Sequence, residues 1–181
     1  LRRQRQMCIR DSYYGVPLNV NGATTVSEAV NFFKQFDIVI FGRSAYSSTN
    51  IADIVDGLQE QGTDVYGYVP IGGMGGSALF MSEIVSEVNS WEDVDDGVTG
   101  IFLDEAGFDF KTDRAKLNFA VDYIHDISTD KHPNGMKVFV NAYTPTDVTL
   151  YGMYHKVEDD FNPLYNKAEL LSSLTHNDLL L

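Results

Sequence analysis

The stretch VTGIFLDEAGFDF, residues 98–110, combines a short apolar run with two adjacent carboxylates. The apolar run predicts a buried strand, and Asp104 and Glu105 stand at its carboxyl end, followed by Ala106 and Gly107. An ionised carboxylate that is removed from water needs a partner or a chemical task. We therefore expect Asp104 and Glu105 to belong to a functional site.

Strand-like and helix-like segments alternate on both sides of this stretch. Apolar runs of strand length occur at residues 13–15, 37–42, 64–71, 98–105 and 136–143. Apolar residues at helical spacing occur between them, at residues 25–36, 51–61, 78–91 and 112–128. Thr25 or Ser27 can cap the first of these helices, and Thr112 or Asp113 the last. Such alternation predicts right-handed β/α units and a parallel sheet, so the fold class is α/β.

The number of units favours a (β/α)8 TIM-type barrel. Four strands are complete, residues 13–15 are a remnant of a fifth, and residues 177–181 open like a sixth. A complete barrel takes about 250 residues, so about six of the eight strands are expected and the barrel is truncated at both ends. A doubly wound open sheet is the alternative, but no G-x-G-x-x-G follows the first strand.

Composition limits the possible partners. The chain has 181 residues, 44% of them hydrophobic, which suits one domain with a sizeable core. Its formal charge of -13 argues against nucleic-acid binding, because phosphates would be repelled. No apolar run reaches the roughly 18 residues of a membrane span. The single Cys8 excludes an internal disulfide, and we expect a monomer.

The first twelve residues, LRRQRQMCIRDS, do not match the rest of the chain. They hold four of the 13 basic residues, lack periodicity and lack the apolar core of a signal peptide. We interpret residues 1–12 as a non-native tag or adapter-derived segment, and residues 13–181 as a partial β/α barrel domain.

The carboxyl ends of the strands define the catalytic face of such a barrel. In chain order they carry Tyr14, Arg43, Tyr66 or Tyr68, Asp104 with Glu105, and Asn141 with Tyr143. Acids, an amide, an arginine and tyrosines on one rim suit a sugar, because aromatic rings stack on pyranose faces and the polar groups bind hydroxyls. Tyr66 and Tyr68 share one face of their strand, and packing of that face against the helices is as compatible with the sequence as contact with a sugar. The acidic pair could instead form ion pairs with Arg114.

No cofactor or metal site is predicted. The residues His132, His155 and His176 show no metal-ligand spacing, and the glycine-rich stretch GGMGG lacks the G-K-[ST] ending of a phosphate-binding loop. Residues 144–166 are expected to form a lid or active-site loop, and residues 167–174 a short helix.

Four segments together resemble glycoside hydrolase family 114 and the spherulation-specific family 4 proteins. They are YGYVPIG at 66–72, GIFLDEAGFDF at 100–110, TDRAKLNFAVDYIHD at 112–126 and KVFVNAYTPTDV at 137–148. The resemblance implies a secreted or cell-surface, endo-acting hydrolase of α-1,4-linked galactosamine or N-acetylgalactosamine polymers. It matches Asp104 and Glu105 to the acidic pair of the family and Asn141 to a polar residue at the next strand end. It also implies a glutamate on a sixth strand, beyond Leu181.

Glycoside hydrolysis needs one carboxylic acid as proton donor and one carboxylate as nucleophile or base. Successive strand residues point to opposite faces, so we expect Asp104 to face the barrel mouth. Glu105 then either completes the pair or orients its neighbours, and the sixth-strand acid is the other candidate. Two further functions stay open: a non-catalytic polysaccharide-binding module, and a barrel enzyme that acts on another substrate.

Overall fold

The computed structural model describes residues 13–19, 21–73, 78–94 and 97–142. The predictions for the non-native start, the lid, the short helix, the last strand and Tyr143 lie outside these residues. In the described part of the chain, no helix is long and apolar enough to cross a membrane.

Five strands and four helices alternate along the described chain, as the sequence predicts. The strands are β1 (Tyr13–Gly15), β2 (Ile38–Phe41), β3 (Asp64–Pro70), β4 (Gly100–Asp104) and β5 (Lys137–Val140). The helices are α1 (Val26–Phe33), α2 (Ile51–Glu60), α3 (Met81–Glu92) and α4 (Arg114–Asp126). Short 3-10 turns occupy Ala45–Ser47 and Phe108–Phe110. The α/β fold class is therefore confirmed.

The five strands form one parallel sheet in the order β1-β2-β3-β4-β5. A doubly wound sheet reverses its strand order at a switch point, and the described strands contain no such reversal. Because all five described strands run parallel, with a helix between each consecutive pair, their carboxyl ends lie at one edge of the sheet. The closed eight-stranded barrel stays a prediction.

Strict alternation divides the sheet into two chemically different faces. The side chains that face the helices are aliphatic or aromatic and buried in the core: Val39, Phe41, Val65, Val69, Ile101, Leu103, Val138 and Val140. The opposite face carries Ile40, Tyr66, Tyr68, Phe102, Asp104 and Phe139 at the intervening positions. Burial of the first set therefore leaves the aromatic residues and Asp104 together on the second face.

Side-chain caps define where two of the helices begin. Thr25 accepts a hydrogen bond from the backbone N–H of Glu28 (3.3 Å), and the Glu28 carboxylate accepts one from the backbone N–H of Thr25 (3.1 Å). Asp113 caps α4 by accepting from the backbone N–H of Lys116 (2.8 Å). Of the two candidates for each cap, the structure thus selects Thr25 and Asp113. Such caps satisfy amides that the first helical turn leaves without partners.

Trp91 connects α3 to the middle of the sheet. Its side chain is fully buried, and its indole ring lies against the backbone of Gly67 in β3, where a Cβ atom would come within 2.6 Å of Cε2. The indole Nε1 donates a hydrogen bond to the carbonyl oxygen of Tyr68 (3.3 Å). The absence of a side chain at Gly67 is therefore what allows Trp91 to reach the sheet.

We expect Gly67→Ala to lower the free energy of unfolding by about 1–3 kcal/mol, because the added methyl group overpacks the contact with Trp91. The matched control is Gly42→Ala, whose Cβ would have its nearest neighbour at 3.5 Å and should change stability by no more than about 0.5 kcal/mol. Urea-induced unfolding measures both. Equal stability of the two variants would contradict the close contact between Gly67 and Trp91.

Candidate active site

A cavity of about 350 Å³ opens at the carboxyl edge of the sheet, on the face away from the helices. Its lining combines aromatic, aliphatic and polar side chains: Tyr14, Ile40, Tyr68, Phe102, Asp104, Phe139 and Asn141. We call it the Asp104 cavity. Four residues that the sequence predicts for the site, Tyr14, Tyr68, Asp104 and Asn141, thus come together in it.

Three hydrogen-bond donors surround the Asp104 carboxylate. The Tyr68 hydroxyl donates to Oδ2 (2.7 Å), while the Asn141 Nδ2 amide (2.8 Å) and the Glu105 backbone N–H (2.9 Å) donate to Oδ1. Asn141 is itself held by its backbone, whose N–H donates to the Leu103 carbonyl oxygen (2.9 Å). Each of these partners in the described chain is a donor, so both oxygens of Asp104 act as acceptors and the direction of the carboxyl group is fixed.

Tyr68 is held in its protonated form. Burial raises the pKa of Tyr68 well above its usual value, and the hydrogen bond to Asp104 and the negative charge of Asp104 raise it further. Burial also raises the pKa of Tyr14, again with a contribution from the charge of Asp104. Tyr68 therefore remains a hydrogen-bond donor to Asp104 across the physiological pH range.

Aromatic rings build the wall around this carboxylate. The Tyr68 ring lies 5.4 Å from that of Tyr14 and is stacked on Phe102 at 5.9 Å between centroids. Phe139 meets Phe102 edge to face at 5.0 Å and Tyr66 at 6.0 Å. This settles which way β3 faces: Tyr66 and Tyr68 point away from the helices. Tyr66 is buried (4% exposed) and does not line the cavity, whereas Tyr68 does.

Glu105 does not have the strand geometry that would point it to the face opposite Asp104. The strand β4 ends at Asp104, and Glu105 adopts a left-handed conformation with φ of 58°, which costs a non-glycine residue on the order of 1 kcal/mol or more. Its carbonyl oxygen accepts a hydrogen bond from the Thr112 hydroxyl (2.8 Å). Glu105 does not line the cavity, but its charge contributes to the raised pKa of Tyr68.

Arg43 follows β2 at the same edge of the sheet but does not line the Asp104 cavity. Its Nε (3.0 Å) and Nη2 (2.8 Å) both donate to Oε1 of Glu87 in α3. The Tyr46 hydroxyl donates to the other oxygen of Glu87 (3.3 Å). This pairing raises the pKa of Arg43. The guanidinium is thus anchored beside the cavity, and its role in substrate binding stays a prediction.

Arg114 does not form the ion pair that the sequence left open. Within the described residues its Nε and Nη2 are buried without a hydrogen-bond partner, and burial lowers its pKa. Asp104 is instead bonded to Tyr68 and Asn141. Among the described residues, no three His, Cys, Asp or Glu side chains come together as a metal-binding group.

The sequence did not identify Ile40, Phe102 and Phe139 as site residues. All three read as core positions because they are apolar and belong to strands. Period-two alternation from Asp104 was the available signal, since Phe102 lies two residues before it and Phe139 two residues before Asn141. This alternation places the rings of Phe102 and Phe139 on the same face of the sheet as Asp104.

No family model matches the sequence, and no curated protein matches it. Two solved structures are similar in fold: the glycoside hydrolase domain of PelA from Pseudomonas aeruginosa, and its E218A variant. Each is 13% identical in sequence, with TM-scores of 0.48 and 0.47, respectively. The alignment covers 72% of this chain, and the chain spans 59% of the length of each solved chain. Membership of the family that the sequence resembles stays a prediction.

We expect the stability difference between the native protein and Tyr68→Phe to depend on pH. The pKa of Tyr68 is higher in the folded than in the unfolded state, so its proton stabilises the fold below about pH 10, and this contribution is lost as pH rises through the folded-state pKa. The advantage of the native protein should therefore be largest near pH 8 and shrink above about pH 10. Chemical unfolding at both pH values measures it, and a difference that grows with pH would contradict the assignment.

Proposed function

We propose that the chain is part of a glycosidase, an endo-acting glycoside hydrolase that cleaves an amino-sugar polysaccharide of the α-1,4-linked galactosamine or N-acetylgalactosamine type. The observation that carries the proposal is the Asp104 carboxylate, which Tyr68 and Asn141 orient into a cavity walled by aromatic rings. The polymer and the linkage come from the sequence resemblance. The same resemblance supports a secreted or cell-surface location.

The proposed architecture is a (β/α)8 barrel in which β1 to β5 are consecutive strands. The unbroken strand order and the common edge of the carboxyl ends support it. In this arrangement the aromatic face of the sheet is the interior of the barrel, and the Asp104 cavity is part of its mouth. We propose that the domain acts as a monomer.

Asp104 suits the ionised role in glycoside hydrolysis. Its two oxygens accept three hydrogen bonds, which stabilise a negative charge and fix its direction. A carboxylate held in this way can attack the anomeric carbon, activate water or stabilise an oxocarbenium-like transition state. Glu105 is the proposed proton donor within the described chain, and the sixth-strand glutamate implied by the resemblance is the other candidate.

The walls of the cavity suit an amino sugar. The rings of Tyr14 and Phe102 offer flat apolar surface to the C–H groups of a pyranose, while Asn141 provides an amide beside the acid. The formal charge of -13 attracts a cationic polymer over long distances. Both features favour a galactosamine-containing chain over an acidic polysaccharide, which would be repelled.

We expect Asp104→Asn to lower kcat on galactosamine-containing polymers by about 10³-fold or more, because the amide cannot supply the negative charge. Glu105→Gln should lower kcat by a similar factor if Glu105 is the proton donor. The matched control is Asp130→Asn, an exposed acid before β5 and so at the far edge of the sheet, which should leave kcat unchanged. The three variants are made in the full-length protein, and their kcat is measured from the reducing ends that each releases from the polymer.

The outcome also separates the glycosidase from a polysaccharide-binding module. A folded native protein that binds the polymer but releases no reducing ends would refute the catalytic proposal and favour the binding module. A native protein that neither binds nor cleaves amino-sugar polymers would refute both. Loss of activity in Asp104→Asn but not in Glu105→Gln would assign the proton donor to another carboxyl group.

A further inference from the structure

A second and larger cavity, of about 660 Å³, lies beside the Asp104 cavity at the carboxyl edge of the sheet. The segments that follow β1 and β2 form it, with lining residues from 15–19 and from 42–50. We call it the loop cavity. Its volume is within the range of about 300–1,000 Å³ that small-molecule sites occupy.

The two sides of the loop cavity differ in chemistry. Val16, Pro17 and Leu18 contribute apolar surface from the segment after β1. The segment after β2 contributes hydroxyl and amide groups: Ser44, Ser47, Ser48, Thr49 and Asn50. A sugar ring has the matching character, because its faces carry C–H groups and its rim carries hydroxyls.

The polar side chains of the loop cavity are available to a ligand. Within the described residues, none of these five side chains hydrogen-bonds to the protein, although Ser44 and Asn50 occupy helix-cap positions. Buried hydroxyls of the fold are engaged instead: Thr63 donates to the Phe36 carbonyl oxygen (3.1 Å) and Thr112 to that of Glu105 (2.8 Å). Five polar side chains of one described segment therefore keep their donors and acceptors for a ligand.

Tyr14 joins the loop cavity to the Asp104 cavity. Its ring lines the Asp104 cavity and contacts Tyr68, while its hydroxyl lies 3.9 Å from the Cβ position of Gly42, which lines the loop cavity. Tyr14 is also well exposed, at 57%. A polymer that crosses Tyr14 could thus occupy both cavities at once.

Among the described residues that line the loop cavity, no charge is left uncompensated. Arg43 is the one ionisable residue of this described lining, and Glu87 already neutralises it through an ion pair at 2.8 Å. A free amino group would find no carboxylate among the lining residues, whereas the Asp104 cavity presents one. The loop cavity therefore fits an uncharged sugar unit better than a cationic one.

We propose that the loop cavity is a second saccharide-binding site, which holds an uncharged unit such as an N-acetylated sugar while a neighbouring part of the same chain lies at Asp104. The proposal rests on the proposed function and extends it to the length and charge pattern of the substrate. A short oligosaccharide fills only the Asp104 cavity, and a longer one reaches across Tyr14 into the loop cavity.

Two variants test the loop cavity without touching the Asp104 carboxylate. Ser47→Leu places bulk in the loop cavity at an exposed position that does not line the Asp104 cavity, and Ser47→Ala is its matched control. Thr49→Val removes one exposed hydroxyl at nearly constant shape, so the test stands even if Ser47→Leu does not fold. Each change is made in the full-length Asp104→Asn protein, so that the oligosaccharides are not cleaved during titration calorimetry.

With N-acetylgalactosamine oligomers, we expect Ser47→Leu to weaken hexasaccharide binding by about tenfold or more and Thr49→Val by about threefold, while disaccharide binding changes less than about twofold. Lengthening a disaccharide to a hexasaccharide should raise the binding affinity more for fully N-acetylated oligomers than for galactosamine oligomers. If both variants bind the hexasaccharide as tightly as the parent protein and the native protein cleaves polymer, the second saccharide-binding site is refuted and the proposed function is not. Absence of both binding and cleavage in the native protein would refute the proposed function and this site with it.

Discussion

Burial of one face of the parallel sheet against the helices is the constraint on which the rest of this structure depends. Alternate positions of β2 to β5 supply the core, from Val39 and Phe41 to Val138 and Val140. Since strand residues alternate strictly, that burial commits the intervening positions to the other face. Asp104, Tyr68 and Phe102 are therefore neighbours as a consequence of core formation.

Core and site are also connected through Trp91. The same indole that packs on Gly67 donates to the carbonyl oxygen of Tyr68, whose hydroxyl in turn donates to Asp104. Tyr68 is thus held at both its backbone and its side chain. This is the way in which a rigid scaffold fixes a functional carboxylate: the partners of the acid are themselves positioned by buried groups.

Local signals predicted most of the fold. Thr25 and Asp113 were each one of two candidate caps, because a short oxygen-bearing side chain before an apolar helical pattern satisfies first-turn amides. The strands were recognisable because each is a compact apolar run between polar segments. Asp104 stood out since an acid at the end of such a run is costly without a partner. The common edge of parallel strands placed Asn141, and either Tyr66 or Tyr68, on the same rim as Asp104.

What local signals could not predict depends on contacts between distant segments. The left-handed backbone of Glu105 is one case, since glutamate has no preference for that conformation and only the surrounding packing imposes it. The ion pair of Arg43 is another, because Glu87 lies 44 residues away and on a different element. The loop cavity is a third, formed between two segments that are each unremarkable as sequence.

The sequence by itself determined the order of strands and helices, two candidates for each of two helix caps and the identity of the acid at the end of β4, because all of these are set by residues close together in the chain. The tertiary structure alone decided which face Tyr68 occupies, which donors surround Asp104, where Arg43 is anchored and that a second cavity adjoins the first. The physical reason is that hydrogen bonds, ring contacts and cavities form between side chains that the fold brings together across strands. Local sequence does not specify the distances between residues that are far apart in the chain.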